Sequence, residues 1–206
     1  MDRLFNQEEQ GSLSPRGRRE AELVARHFER AGLDAVYASP LLRAKETAEV
    51  TAAALGLELT ITPAIAELRT GRLAEDGLAA RWVRAMTRAP LRAELKRAIL
   101  GGSLIPLYFQ AWRRGRTVGG ETPAELDARV RGLLAELEAR HAPGARVGLF
   151  AHGYLIFTLA HALARTPLAR AALWRRPYIP NGSITHLELR GARLSVVRYA
   201  DARHLA

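Results

Sequence analysis

The sequence contains no cysteine, which excludes a disulfide framework and thiolate chemistry and makes the cytoplasm the expected compartment. Lysine is almost absent too: Lys45 and Lys96 are the only two of 31 basic residues. The formal charge of +10 is therefore carried by arginines scattered along the chain. A field of that sign attracts polyanions. Aromatic residues make up only 6% and do not interleave with the arginines as base-stacking platforms would, so specific nucleic-acid binding is not expected. Long apolar runs are missing as well. The longest, Val147 to Ala164, is interrupted by Gly148, His152, Gly153 and His161, and it reads as strand, turn and helix instead of a membrane span. The opening MDRLFNQEEQ lacks the apolar stretch a secretion signal requires. No histidines stand at metal-site spacing such as His-x-x-x-His, so neither a metal nor any other cofactor is expected.

A chain of 206 residues is long enough for one domain with a substantial core. Ser14-Pro15 is a helix start, and Gly32 ends that helix. Leu33 to Ala38 is a strand candidate. Ser39-Pro40 repeats the start signal for a helix that Gly56 stops, and Leu57 to Ile61 is another strand. Residues 72–118 are helical in period but broken by Pro90, Gly101, Gly102 and Pro106, and are expected to form a cap insertion within the single domain 1–206. A helix from Pro123 to Arg140, a buried strand from Val147 to Ala151 and a helix from Tyr154 to Arg165 follow. ITHLEL and LSVVRY, joined through Arg190-Gly191, read as a hairpin. Strands alternating with helices predict an α/β three-layer sandwich around a mostly parallel sheet.

Three side chains could carry chemistry. Arg43 lies on the first turn of a helix that follows a strand, where backbone donors and the positive helix end converge; it is either a phosphate clamp or an ordinary exposed arginine. His152 sits at the carboxyl end of a buried strand, where open α/β sheets hold their ligands; it is either a ligand-binding imidazole or a satisfied core histidine. Glu67, in AELRTG, is a loop carboxylate that reads as no more than solvated on position alone.

The segments SPLLRAKETA at 39–48, AELRTG at 66–71, GGETPAELDARV at 119–130 and FAHGYL at 150–155 occur in this order. Together they resemble the histidine phosphatase superfamily, also called phosphoglycerate mutase-like, over nearly the whole chain from Leu13 onward. The resemblance implies a phosphomonoester hydrolase working through a phosphohistidine. It makes Arg43 and His152 phosphate-binding residues, with His152 also in the catalytic set, and Glu67, four residues before Gly71, the catalytic proton donor. The RLAEDG that follows departs from the family's Trp-Glu-Gly. Glu121 reads as structural or pocket-lining, and YIPNGSITHLEL and DARHL as the closing hairpin and terminal His-Leu of the same fold. Phosphatase is favoured over mutase, because AELRTG and HGYLIF lack the Glu-Arg-His-Tyr-Gly and His-Gly-Asn of mutases. The implied partner is a phosphorylated small molecule or phosphoprotein.

The family's opening strand and Arg-His-Gly, whose histidine takes the phosphoryl group, are not found in these 206 residues. His27 and His141 follow arginines but precede Phe28 and Ala142, and are read as decoys. The chain is therefore expected to be inactive as it stands. A gene start set too late, a clone begun too late and a true pseudoenzyme binding a phosphorylated ligand all remain open. DRLF at 2–5, which resembles the segment after the motif, favours a chain cut just upstream. Loss of a central strand would leave unpaired backbone on its neighbours.

Overall fold

The structure is a computed structural model, and it describes residues 11–69, 71–74, 77–90, 92, 106–174, 179–191 and 193–206. DRLF at 2–5 and Gly101-Gly102 lie outside the described residues. The chain divides into two compact units, one from residues up to Glu67 together with Gly132–Ala206, the other Leu68–Arg131.

In the first unit, helix α1 (Pro15–Ala31) starts as its sequence predicts: the Ser14 hydroxyl accepts the Gly17 N–H at 3.1 Å. Gly32, with φ 76°, ends it. Strand β1 (Ala35–Ala38) leads to helix α2 (Leu42–Leu55), which closes on Gly56 in the left-handed region, and then to β2 (Leu59–Ile61). The start of α2 differs from expectation. Its N-cap is Leu41, which makes no side-chain capping bond, because the Ser39 hydroxyl is turned to the Leu41 N–H and to His152.

The second unit holds β3 (Arg72–Leu73), α3 (Leu78–Arg88), a helix α4 at 106–113 and β4 (Thr117–Val118), and α5 (Pro123–Arg140) begins in it. β3 and β4 pair antiparallel, a short ladder that the sequence pattern did not suggest. Gly71 stands at its mouth with φ 69°, and a Cβ there would meet the Val118 carbonyl oxygen at 2.5 Å and the Gly120 nitrogen at 2.6 Å. The glycine four residues after Glu67 thus has a steric cause of its own. On α3, Arg81, Arg84 and Arg88 are exposed, while Ala80 and Val83 are buried.

Back in the first unit come β5 (Val147–Phe150), α6 (Gly153–Leu163), α7 (Pro167–Trp174), β6 (Ile184–Arg190) and β7 (Arg193–Asp201), and a short 3-10 turn, Arg203–Leu205, follows. Helix α7 was not anticipated, although Thr166-Pro167 carries the same start signal as α1: the Thr166 hydroxyl accepts the Ala169 N–H at 3.1 Å. Pro167 has no N–H to give the Leu163 carbonyl, so α6 cannot run on through it.

β2, β1 and β5 form a parallel sheet in that order, and β6 and β7 form an antiparallel hairpin. Val36 and Ala38 of β1 pack against Ala48 and Ala52 of α2, with Leu33, Leu57, Leu59 and Phe150 around them. The small side chains one turn apart let α2 lie close on the sheet. Among the described residues β5 pairs with no strand but β1. No helix among the described residues is long and apolar enough to cross a membrane.

Candidate functional site

The β1–β5 register places the site. Ala38 stands opposite Phe150, and the Ser39 N–H donates to the Phe150 carbonyl at 3.0 Å, so both strands end at one level. The residues just beyond them therefore meet, although 113 positions separate them. Ser39 Oγ lies 2.7 Å from His152 Nε2, and both side chains are buried, at 0% and 4% exposure.

His152 is the N-cap residue of α6. In the first turn of that helix the Leu155 N–H donates to Glu67 Oε1 at 2.9 Å, so Glu67 is held against the helix that His152 opens. A carboxylate suits the positive end of a helix. Arg43, half-buried on the first turn of α2, is near enough for its charge to act on His152. Burial, with the Arg43 charge behind it, pushes the imidazole pKa down to about 3, so His152 is neutral at physiological pH. The structure thus brings Arg43, His152 and Glu67 to one end of the parallel sheet, and adds Ser39, which sequence reasoning took only for a helix cap. The available signal was symmetry: Ser39 follows β1 as His152 follows β5.

Glu121 belongs to the second unit, where it forms a two-pronged ion pair with Arg129. The other five histidines are all described and occupy different settings. His27 lies within α1 with its ring centroid 5.1 Å from that of His204, and His141 bonds the Tyr37 hydroxyl at 2.9 Å. His161 is buried in α6 against Trp174, and His186 is exposed on β6. An open depression of about 400 Å³ beside Asp34, Arg140 and His141 lies near residues that precede β1 and β5, at the opposite ends of the strands. Ligands of open parallel sheets bind at the carboxyl ends. No three acidic or histidine side chains among the described residues converge as a metal-ligand set.

The depressed His152 pKa makes stability depend on pH. Between about 3 and 6.5 the unfolded chain binds a proton that the folded chain does not, so the contribution is full above 6.5 and falls as pH drops. The loss is about 1.4 kcal/mol per pH unit below 6.5. Urea unfolding at pH 7.5 and 5.0 should show the wild type losing about 2 kcal/mol more than His152→Gln. Parallel losses in both proteins would mean that His152 is charged in the folded state.

A parallel α/β sheet with a guanidinium, a buried imidazole and a helix-held carboxylate at its carboxyl end defines a class of protein equipped to meet an anion. The family profile of the histidine phosphatase superfamily (branch 1) matches residues 2–98 and 103–202, and the chain belongs to that family. The "Probable phosphoglycerate mutase GpmB" of Yersinia enterocolitica is 28% identical over 197 residues, 94% of this chain and 76% of the relative. Among solved structures, a mycobacterial glucosyl-3-phosphoglycerate phosphatase in complex with VO3 is 25% identical, with a TM-score of 0.64 over 93% of this chain and 88% of that one. A phosphoglycerate mutase from Bacillus anthracis, 19% identical with a TM-score of 0.66 over 95% of this chain and 84% of that one, shares the fold.

Proposed function

We propose that this chain binds the phosphoryl group of a phosphomonoester at the carboxyl ends of β1 and β5, within the hydrolase chemistry of its family. The observation that carries this is the convergence of Arg43 on His152. Arg43 supplies charge and the option of paired N–H donors, and the imidazole supplies a neutral donor in a dry setting. A phosphate dianion between them would pair with the Arg43 charge and accept the ring N–H of the neutral imidazole. Glu67, held at the start of α6, is the candidate to exchange a proton with the leaving oxygen.

The names of the relatives divide between mutase and phosphatase, and all three contain a phosphoglycerate. Phosphatase remains our reading, since AELRTG and HGYLIF lack the mutase patterns. The ligand class is a phosphorylated small molecule, with a phosphoprotein as the wider option, in the cytoplasm. Residues 72–118 serve as the cap. The second reading is a non-catalytic binder of the same ligand class, which needs only the anion-binding groups at Arg43 and His152.

Calorimetry with inorganic phosphate, and with orthovanadate as its five-coordinate mimic, tests the binding that both readings share. Wild-type chain should bind, and Arg43→Ala should weaken binding by about 10- to 100-fold, the range of a charged hydrogen bond. Absence of binding, or equal affinity in Arg43→Ala, would remove phosphate from the site.

A further inference from the structure

We infer that Ser39 is a positioning residue for His152: its hydroxyl donates to Nε2 while accepting the Leu41 N–H, which fixes the ring proton on Nδ1 and makes Nδ1–H the donor offered to a phosphoryl oxygen. The inference rests on the phosphate-binding reading for its purpose but not for its geometry.

The assignment follows from hydrogen-bond accounting. A serine hydroxyl has one hydrogen to give and two lone pairs to receive with. Ser39 Oγ accepts the Leu41 N–H at 3.2 Å and lies 2.7 Å from His152 Nε2, and these are its hydrogen-bond contacts among the described residues. If Nε2 carried a hydrogen and donated it, Oγ would accept twice and its own hydrogen would be left without an acceptor. For a side chain with 0% exposure that is a buried, unmade bond. If the hydroxyl donates, the Leu41 N–H, the Ser39 hydroxyl and His152 Nε2 are each used, in the role each can play, and only the Nδ1–H is left over. Nε2 must then be a bare acceptor, and the neutral ring carries its hydrogen on Nδ1. Burial and the Arg43 charge oppose the doubly protonated ring that would spoil this arrangement. Nδ1 has no hydrogen-bond partner among the described residues and is the atom left for a ligand.

The same hydroxyl also joins the two halves of the site. Leu41 is the N-cap of α2 and Arg43 lies two residues on, so Ser39 couples the turn that carries the guanidinium to the ring that carries the N–H. An unconstrained imidazole favours the opposite tautomer, with hydrogen on Nε2, so loss of Oγ should change which nitrogen donates.

Ring nitrogen NMR on the full chain at pH 7.5, with His152→Gln to assign the signals, reads the tautomer directly. Wild-type protein should show a protonated Nδ1 and a bare Nε2 at His152. Ser39→Ala should move protonation toward Nε2, and Ser39→Thr, which keeps the hydroxyl, should restore the wild-type pattern. A bare Nδ1 in the wild type, or a pattern unchanged in Ser39→Ala, would overturn the inference, and the wild-type measurement decides even if a variant fails to fold. Inorganic phosphate provides the second arm. Ser39→Ala should bind it about tenfold more weakly, the size of one lost well-placed hydrogen bond, and Ser39→Thr should recover. Phosphate that binds neither wild type nor variants refutes the proposed function, while the tautomer measurement still stands as the test of Ser39.

Discussion

The 206-residue chain is expected to release no phosphate from p-nitrophenyl phosphate above the rate in buffer, at any pH from 5 to 9. Phosphohistidine chemistry needs an imidazole nitrogen with a free lone pair aimed at phosphorus. All six histidines can be placed, and His152 alone stands at the carboxyl end of a strand beside Arg43. With the Ser39 hydroxyl donating, as inferred above, the Nε2 lone pair is taken and Nδ1 carries the ring hydrogen, so neither nitrogen can attack. His27 lies within α1 beside the His204 ring, His141 bonds the Tyr37 hydroxyl, His161 is buried against Trp174, His186 is exposed on β6 and His204 bonds the Gly182 carbonyl. What remains is binding and charge stabilisation. In a hydrolase stripped of its nucleophile that remainder gives about 10³ to 10⁴ over water, and multiplied by the very slow spontaneous hydrolysis of a phosphomonoester this leaves an absolute rate too low to register in the assay. Robust turnover that His152→Ala abolishes would refute this account, because it would make His152 the nucleophile and free one of its lone pairs.

The features legible in the sequence are those decided within a few residues. Ser14-Pro15 and Gly32 bound α1, Gly56 bounds α2, and alternation in ITHLEL and LSVVRY marks the hairpin, since capping and period act locally. Arg43 and His152 were legible as strand-end residues for the same reason. Their meeting with Ser39 was not, because it depends on the register between β1 and β5, strands that lie more than a hundred residues apart. The Ser-Pro signal at 39–40 misled for a physical reason: the serine that looks like a cap is drawn away by the histidine. Glu67 is a similar case. In sequence it is a loop carboxylate, and only the packing of that loop on α6, 88 residues later, gives it the Leu155 N–H.

Arg129→Ala should cost about 3–5 kcal/mol of stability. Glu121 is only 6% exposed, and Arg129 meets it with two parallel bonds, Nε to Oε1 at 2.7 Å and Nη2 to Oε2 at 2.8 Å. The Glu121 backbone is fixed as well: its carbonyl accepts the Trp112 indole N–H, and its N–H donates to the Arg69 carbonyl. Immediately after it, Thr122 and Glu125 form a reciprocal capping box that starts α5, with the Thr122 N–H given to Glu125 Oε2 at 2.7 Å and the Glu125 N–H to Thr122 Oγ1 at 3.2 Å. The carboxylate therefore cannot swing out to water when its partner is removed, and it stays behind as a buried charge. The reverse substitution should cost less. Arg129 is 19% exposed by side chain and has a long stem, so after Glu121→Ala its guanidinium can turn toward solvent. Replacing both residues, Glu121→Met with Arg129→Leu, should recover most of the loss, because an apolar pair of similar volume pays no desolvation cost. Urea unfolding followed by circular dichroism gives all four stabilities. A loss under about 1 kcal/mol in Arg129→Ala, or a double variant no better than that single one, would show that Glu121 keeps access to water and that this pair contributes only as a surface bridge does.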